Sequence, residues 1–296
     1  MTTGTGVINA MTVDVEDYFQ VSAFDPVVSR SQWADFPSRV VANTERLLRI
    51  LAEHEVRATF FVLGWVADRH PSLVSLIADL GHEVASHGYW HHLVYEQTPR
   101  AFREDIRRSK GLLEAATGQR VEGYRAPSFS ITSESLWALD ILIEEGFRYD
   151  ASIFPIRHDR YGIPGSPRHP YVLPRAIGAL VEVPGSTARV ASINLPVAGG
   201  GYFRLLPYGW TRWGIQRLNQ REHRPAVFYL HPWEVDPDQP RLQASALSRF
   251  RHYRNLGKTE LRLRRLLSEF QFAPLRRVLA DAELEVPAAE LLPQAG

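Results

Sequence analysis

Cysteine is absent from the 296 residues. Disulfides and thiolate metal sites are therefore excluded, and any metal must be held by His, Asp or Glu. Charge of one sign is not in excess either: 34 Lys and Arg face 33 Asp and Glu, a formal net charge of +1. No sequence-wide attraction to nucleic acid or to an anionic membrane follows, and no nucleic-acid partner is expected. No run of about 18 apolar residues, the length a membrane-crossing helix needs, is found. Met1 to Met11 has neither a basic n-region nor an apolar h-region. A soluble, cytoplasmic chain is expected, or a periplasmic one if a signal has been removed. Solenoid repeats and low-complexity tracts are also missing.

What is present is apolar content of 45%, enough for one large core, since a single α/β barrel reaches this length without splitting. The first 150 residues alternate β-branched runs with amphipathic stretches, the pattern of a parallel sheet wrapped by helices. Strands are expected at Val7–Val15, Val56–Leu63, Glu83–His87, Val121–Arg125 and Phe147–Asp150, and later at Leu180–Val183 and Ala226–Leu230. Between them, Arg39–Glu53 and Ser72–Leu80 read as helices. Thr98-Pro99 opens a third helix, with a cap and a first-turn proline, which runs to Gly118. Thr132 is expected to cap the next, ended by Gly146. Residues Ile156 to Arg175 read as a long irregular loop, and two basic helices are expected near Leu242–Asn255 and Thr259–Phe270.

Asp14, His87, Arg125, Asp150 and His231 each fall at or just beyond the C-terminal end of an expected strand. In a parallel barrel those ends converge on the face where active sites lie, so five chemically capable residues from distant positions would meet. His87-Gly-Tyr-Trp-His91 offers two imidazoles that can face one ion. Asp14-Val15-Glu16-Asp17 offers carboxylates to complete a two-His, one-carboxylate site with open positions. Strand alternation favours Glu16 as ligand and leaves Asp14 free, with Asp17 the competitor if the strand ends early. His82 and His92 read as structural.

These motifs resemble those of the NodB-homology polysaccharide deacetylases, in the same order over about the first 235 residues: T-V-D-V-E-D-Y-F at Thr12, S-H-G-Y-W-H at Ser86, Y-R-A-P at Tyr124 and F-Y-L-H-P-W-E ahead of Val235. The usual adjacent Asp pair of the first motif is replaced by Asp14 with Glu16 or Asp17, and no Asp-Trp fourth motif is evident. G-G-G-Y-F-R at Gly199 and R-H-Y-R-N-L at Arg251 are similar to a subgroup associated with bacterial exopolysaccharide and exosortase loci.

The resemblance implies an α/β fold, a distorted (β/α) barrel of about seven parallel strands. It implies one catalytic unit over 1–296: a deacetylase core over 1–235 and a C-terminal helical extension, 236–296, packed on it. The implied activity is hydrolysis of N-acetyl groups on N-acetylhexosamine units of an exopolysaccharide or its precursor, with a carbohydrate polymer or lipid-linked oligosaccharide as partner. A divalent metal is implied, zinc first and cobalt or another ion as alternatives, on His87, His91 and Glu16 or Asp17. Asp14 would be the base, Arg125 its holder, His231 the acid and Asp150 a partner to it. Tyr89, Trp90, Pro127 and Trp233 are expected at the substrate, and Tyr161 and Phe203 are further aromatic candidates for its walls. The readings that compete are an allantoinase-like amidase and a non-catalytic carbohydrate-binding protein. Oligomeric state is not readable.

Overall fold

The computed structural model describes residues 6–284, so the last part of the expected C-terminal extension, 285–296, and the first five residues lie outside the described residues. The strands are β1 Asn9–Val15, β2 Thr59–Val62, β3 Glu83–Ser86, β4 Gly123–Tyr124, β5 Tyr149–Asp150, β6 Tyr171–Arg175, β7 Gly178–Glu182, β8 Thr187–Val190, β9 Ile193–Pro196, β10 Val227–Leu230 and β11 Phe272–Ala273. The sheet runs β10-β1-β2-β3-β4-β5-β7-β6, parallel throughout except for the β6–β7 hairpin at its edge. Short β11 adds to β1 in parallel, and β8 and β9 form a separate hairpin. The α/β fold of NodB type, with seven parallel strands in β10 through β7, is as expected.

Helices α1 Val40–Glu53, α2 Gly64–Arg69, α3 Pro71–Asp79, α4 Pro99–Thr117 and α5 Trp137–Glu144 alternate with the first five strands. The α4 segment shows why. Thr98 Oγ1 accepts from the Ala101 N–H at 3.2 Å, Pro99 takes the first position, and Gly118 closes the helix with φ of 65°. Phe102, Ile106 and Leu113 recur on one face and are fully buried, each contributing roughly 1.5–3 kcal/mol. Downstream, α6 Gly200–Leu205 and α7 Tyr208–Arg221 precede β10, and α8 Ala246–Tyr253, α9 Leu256–Glu269 and α10 Leu275–Asp281 follow it. Leu263 and Leu266 of α9 join the same apolar core as β1 and α4. No described helix is long and apolar enough to cross a membrane.

Two expectations are corrected. The segment expected to be irregular up to Arg175 ends in β6, whose alternating half-buried and exposed residues pair antiparallel with β7. Its Pro174 and Arg175 masked a strand that survives because it is the sheet edge. The helix expected from Thr132 begins only at Trp137. Ser135 Oγ accepts from the Thr132 N–H and donates to the Ser130 carbonyl, holding the intervening residues as a turn.

Asp150 ends β5 beside Glu182, its register partner at the end of β7. Both are completely buried, and one oxygen of each lacks a conventional donor. Burial pushes the Asp150 carboxyl up to about 6, and burial together with the charge on Asp150 pushes Glu182 well above the carboxylate range. Two carboxyls so placed share a proton at neutral pH. Because both are raised above their unfolded values, the stability they contribute is present at low pH and is lost as pH rises through about 6 and beyond. The variant Glu182→Gln is therefore expected to flatten the alkaline fall of the melting temperature between about pH 5 and pH 9, measured against the parent chain; parallel curves would show that the pair does not share a proton.

Candidate metal and catalytic site

β1 carries the first carboxylates. Its residues alternate, so Thr12 and Asp14 share one face, and Glu16 follows just past the strand end. Glu16, His87 and His91 each place one ligand atom within 4.8 Å of the others, and all three are buried. His91 Nε2 lies 2.8 Å from Glu16 Oε2, yet that oxygen has no aligned donor. Lone pairs converging on a common point without a hydrogen bond are what a two-His, one-carboxylate cation site requires. The residues therefore fit a divalent metal.

His87 follows β3, and its Nδ1 donates to the Arg125 carbonyl at 2.8 Å, which leaves Nε2 unprotonated for a ligand bond. Burial holds His87 down to about 4, consistent with a neutral imidazole. The chain turns between the two histidines at Gly88 (φ 71°) and at His91 itself (φ 53°), a left-handed conformation uncommon for a side-chain-bearing residue. Burial would raise the Glu16 carboxyl, but His91 beside it, helped by His231 and His87, brings it down to about 2.

Asp17, the competing ligand, faces the other way. Its carboxylate accepts from Ser38 Oγ and from the N–H groups of Arg39, Val40 and Tyr18 at 2.7–3.2 Å. It caps the start of α1 and is not placed to hold the metal.

Arg125, just past β4, donates from Nη1 to Asp14 Oδ1 at 2.7 Å and to Thr12 Oγ1 at 2.8 Å. His231, just past β10, points Nε2 at the same place, 3.8 Å from Asp14 Oδ2 and 3.6 Å from Glu16 Oε1. Asp14, Glu16, His87, His91, Arg125 and His231 thus surround one cavity of about 170 Å³.

The partner of His231 is not the expected Asp150. Asp150 belongs to the pair with Glu182. The Nδ1 of His231 instead lies 2.7 Å from Oε1 of Glu234, three residues on within the same H-P-W-E run. Glu234 is completely buried, also accepts from the His231 N–H, and is clamped by Nε of Arg204. Burial opposes charge on both groups, but Arg204 and His231 bring Glu234 down to about 2, and the bond to Glu234 lifts His231 to about 9. The i, i+3 spacing of His231 and Glu234 was readable; Arg204, inside G-G-G-Y-F-R, was not. The first two glycines of that run serve close approach: a Cβ on Gly199 would lie 2.2 Å from the Tyr229 carbonyl, and one on Gly200 would lie 2.5 Å from the Tyr229 ring.

The expected substrate residues fare less well. Tyr89 is buried, with its hydroxyl on Asp68, and with Trp90 it lines a separate cavity of about 740 Å³ that contains none of the metal donors. Pro127 is buried and lines neither that cavity nor the site. Phe203 packs in the core against Phe228. Trp233 does reach the site, but as a support: its Nε1 donates to Glu16 Oε1 at 3.2 Å, and its ring stacks between His231 and His252. Tyr161 lines the site cavity itself. His82 is structural, accepting from the Ala58 N–H.

Residues 31–143, which hold His87, His91 and Arg125, match the family model described as polysaccharide deacetylase. Over this stretch the chain is similar to polysaccharide deacetylases. Residues 151–280, which hold Glu182, Arg204, His231 and Glu234, match a second model described as a domain of unknown function, DUF3473. Among curated relatives, a peptidoglycan deacetylase of Helicobacter pylori is 33% identical over 36% of this chain and 36% of its own length. A chitooligosaccharide deacetylase of Rhizobium leguminosarum bv. trifolii is 32% identical over 33% of this chain and 51% of its own. The matches thus span about a third to a half of these relatives. Among solved structures, a putative polysaccharide deacetylase from Mycobacterium smegmatis superposes with a TM-score of 0.65 at 22% identity, covering 96% of this chain and 92% of that one. An allantoinase shares the fold at a TM-score of 0.59 and 15% identity, covering 94% and 91%.

In the metal-free protein, NMR titration of His231 is expected to give a pKa near 9 and a clearly lower one in Glu234→Gln, because a neutral amide no longer favours the imidazolium. An unchanged value would remove Glu234 as the group that sets this histidine's protonation.

Proposed function

We propose that the chain is a metal-dependent hydrolase that removes N-acetyl groups from N-acetylhexosamine units of a bacterial polysaccharide or its precursor. The observation that carries this reading is the placement of Asp14 and His231 on one small cavity beside the Glu16, His87 and His91 donors. Curated deacetylase relatives support the reaction class. The fold alone does not, since an allantoinase shares it.

When bound, a divalent ion, zinc in our reading with cobalt as a substitute, supplies polarisation of the acetamide carbonyl and lowers the pKa of adjoining water toward about 7. Asp14 then acts as general base through Oδ2, since Oδ1 is held by Arg125. Arg125 is a positioning residue: its bonds to Asp14 and Thr12 fix the carboxylate against the cavity. His231 is the general acid. Its Nε2 faces the cavity, Glu234 holds Nδ1, and the raised pKa keeps a proton available for the departing amine. Protonation is needed because an amide anion is a very poor leaving group. Water is consumed, the carbon–nitrogen bond breaks, and acetate and a free amino sugar leave.

Since side chains from Asp14 through Glu234 build one site, we read the described chain as a single catalytic unit, with α8 to α10 packed on its core. The exopolysaccharide substrate rests on the resemblance of the motifs beginning at Gly199 and Arg251.

With zinc-loaded protein and N-acetylglucosamine oligosaccharides, Asp14→Asn is expected to lower acetate release by about 10² to 10⁴-fold with the fold intact. Release at the parent rate would remove Asp14 from the chemistry. Turnover of allantoin with no acetate release from any sugar would move the assignment to the allantoinase-like amidase.

A further inference from the structure

Beside the site cavity lies a second one of about 360 Å³, and the two share Val21, Ser128, Tyr161, Tyr229 and His231. A space of this size falls in the range of ligand pockets, about 300–1,000 Å³. Its lining includes His158, Arg160, Arg204, Arg251 and His252 but no Asp or Glu. In a chain whose acids and bases are nearly equal in number, such an acid-free lining is a local segregation of charge.

Most of these cationic groups have a neutralising partner or are held neutral. Arg204 is paired with Glu234, His158 lies 2.9 Å from Asp159, and burial keeps His252 neutral, with its Nε2 at 2.7 Å from Gln239 Oε1. Arg160 and Arg251 remain. Both are exposed, and among the described residues neither forms an ion pair. Asp25, an acid that feels Arg160, is engaged by Arg30.

Neither arginine sits on an arbitrary stretch of surface. The carbonyls of Arg251 and His252 accept from Nη1 of Arg204, the same guanidinium that clamps Glu234. Arg160 precedes Tyr161, which stacks on His158 at 4.0 Å, lies 3.2 Å from the Tyr202 hydroxyl, and forms part of both cavities. Two arginines with no carboxylate partner are thereby held at the rim of a cavity continuous with the proposed acid, His231. Guanidinium groups recognise phosphate and carboxylate through paired hydrogen bonds.

We propose that the substrate carries an anionic group, phosphate or carboxylate, next to the acetamido sugar, and that Arg160 and Arg251 receive it in this second cavity. The inference rests on the proposed deacetylase reading and narrows its substrate. The anion has two chemical sources: the diphosphate of a glycosyl precursor, or a uronic acid neighbour within the polymer.

The experiment measures acetate release by the zinc-loaded protein from three substrates matched in the reacting sugar. They are a neutral N-acetylglucosamine tetrasaccharide, a tetrasaccharide alternating N-acetylglucosamine with glucuronic acid, and UDP-N-acetylglucosamine. Calorimetric binding of the same three is measured in parallel. At least one anionic substrate is expected to show a KM about tenfold or more below the neutral one at low salt, with the advantage shrinking as ionic strength rises. In the Arg160→Ala/Arg251→Ala double variant the ratio of the two KM values should fall to about one, through KM rather than kcat. Preference for the diphosphate would identify a precursor and preference for the uronate a polymer. Equal or better use of the neutral sugar, or a preference that survives the double variant, would overturn the inference while leaving the deacetylase reading in place. If no acetate is released from any of them, that reading fails, and the binding arm still decides this one: anion-dependent binding lost in the double variant supports it, and its absence overturns it.

Discussion

The arrangement depends on one buried cation. Arg125 is almost fully enclosed, and an unpaired guanidinium there would cost several kcal/mol. Its bonds spread that requirement over the sheet: Asp14 and Thr12 on β1, and the Ala151 carbonyl just past β5. Its own carbonyl accepts from His87 past β3. The group that must be neutralised for the chain to fold therefore also aims the proposed base and fixes the tautomer of a metal donor. Removing either partner would leave a buried charge, so the site's geometry and part of the sheet's stability have a common cause.

A second clamp does the same for the other half of the site. Arg204 holds Glu234, Glu234 holds His231, and Arg204 also gathers the carbonyls at the end of α8. The two clamping arginines, Arg125 and Arg204, come from segments matched by two different family models, and Asp14, which precedes both segments, faces His231 across 3.8 Å. The parallel register of β1 with β10 explains this, since it brings the ends of the first and last core strands side by side.

Much of this was legible because parallel strands advertise themselves. Apolar runs ending in Asp14, His87, Arg125 and His231 locate one face of the sheet without any structure, and period-2 alternation separates Asp14 and Glu16 from Asp17. What remained hidden was decided by contacts between distant segments. Asp150 shares its strand-end position with the other candidates, and only the register of β5 with β7 shows that Glu182 claims it. Aromatic residues near a histidine motif look alike in sequence. That Tyr89 is buried while Tyr161 lines the site depends on the turn at Gly88 and His91 and on a loop without periodic pattern. The β6 edge strand was obscured by its own proline, and Arg204 by a glycine run whose first two members pass close to Tyr229.

The most direct test of the account is an anomalous difference map from crystals of the zinc-loaded protein. The account requires one strong peak bounded by Glu16, His87 and His91, with Asp14 still bonded to Arg125 and Asp17 still capping α1. A zinc ion bound elsewhere, or one that draws Asp14 or Asp17 into its coordination and breaks those bonds, would contradict it.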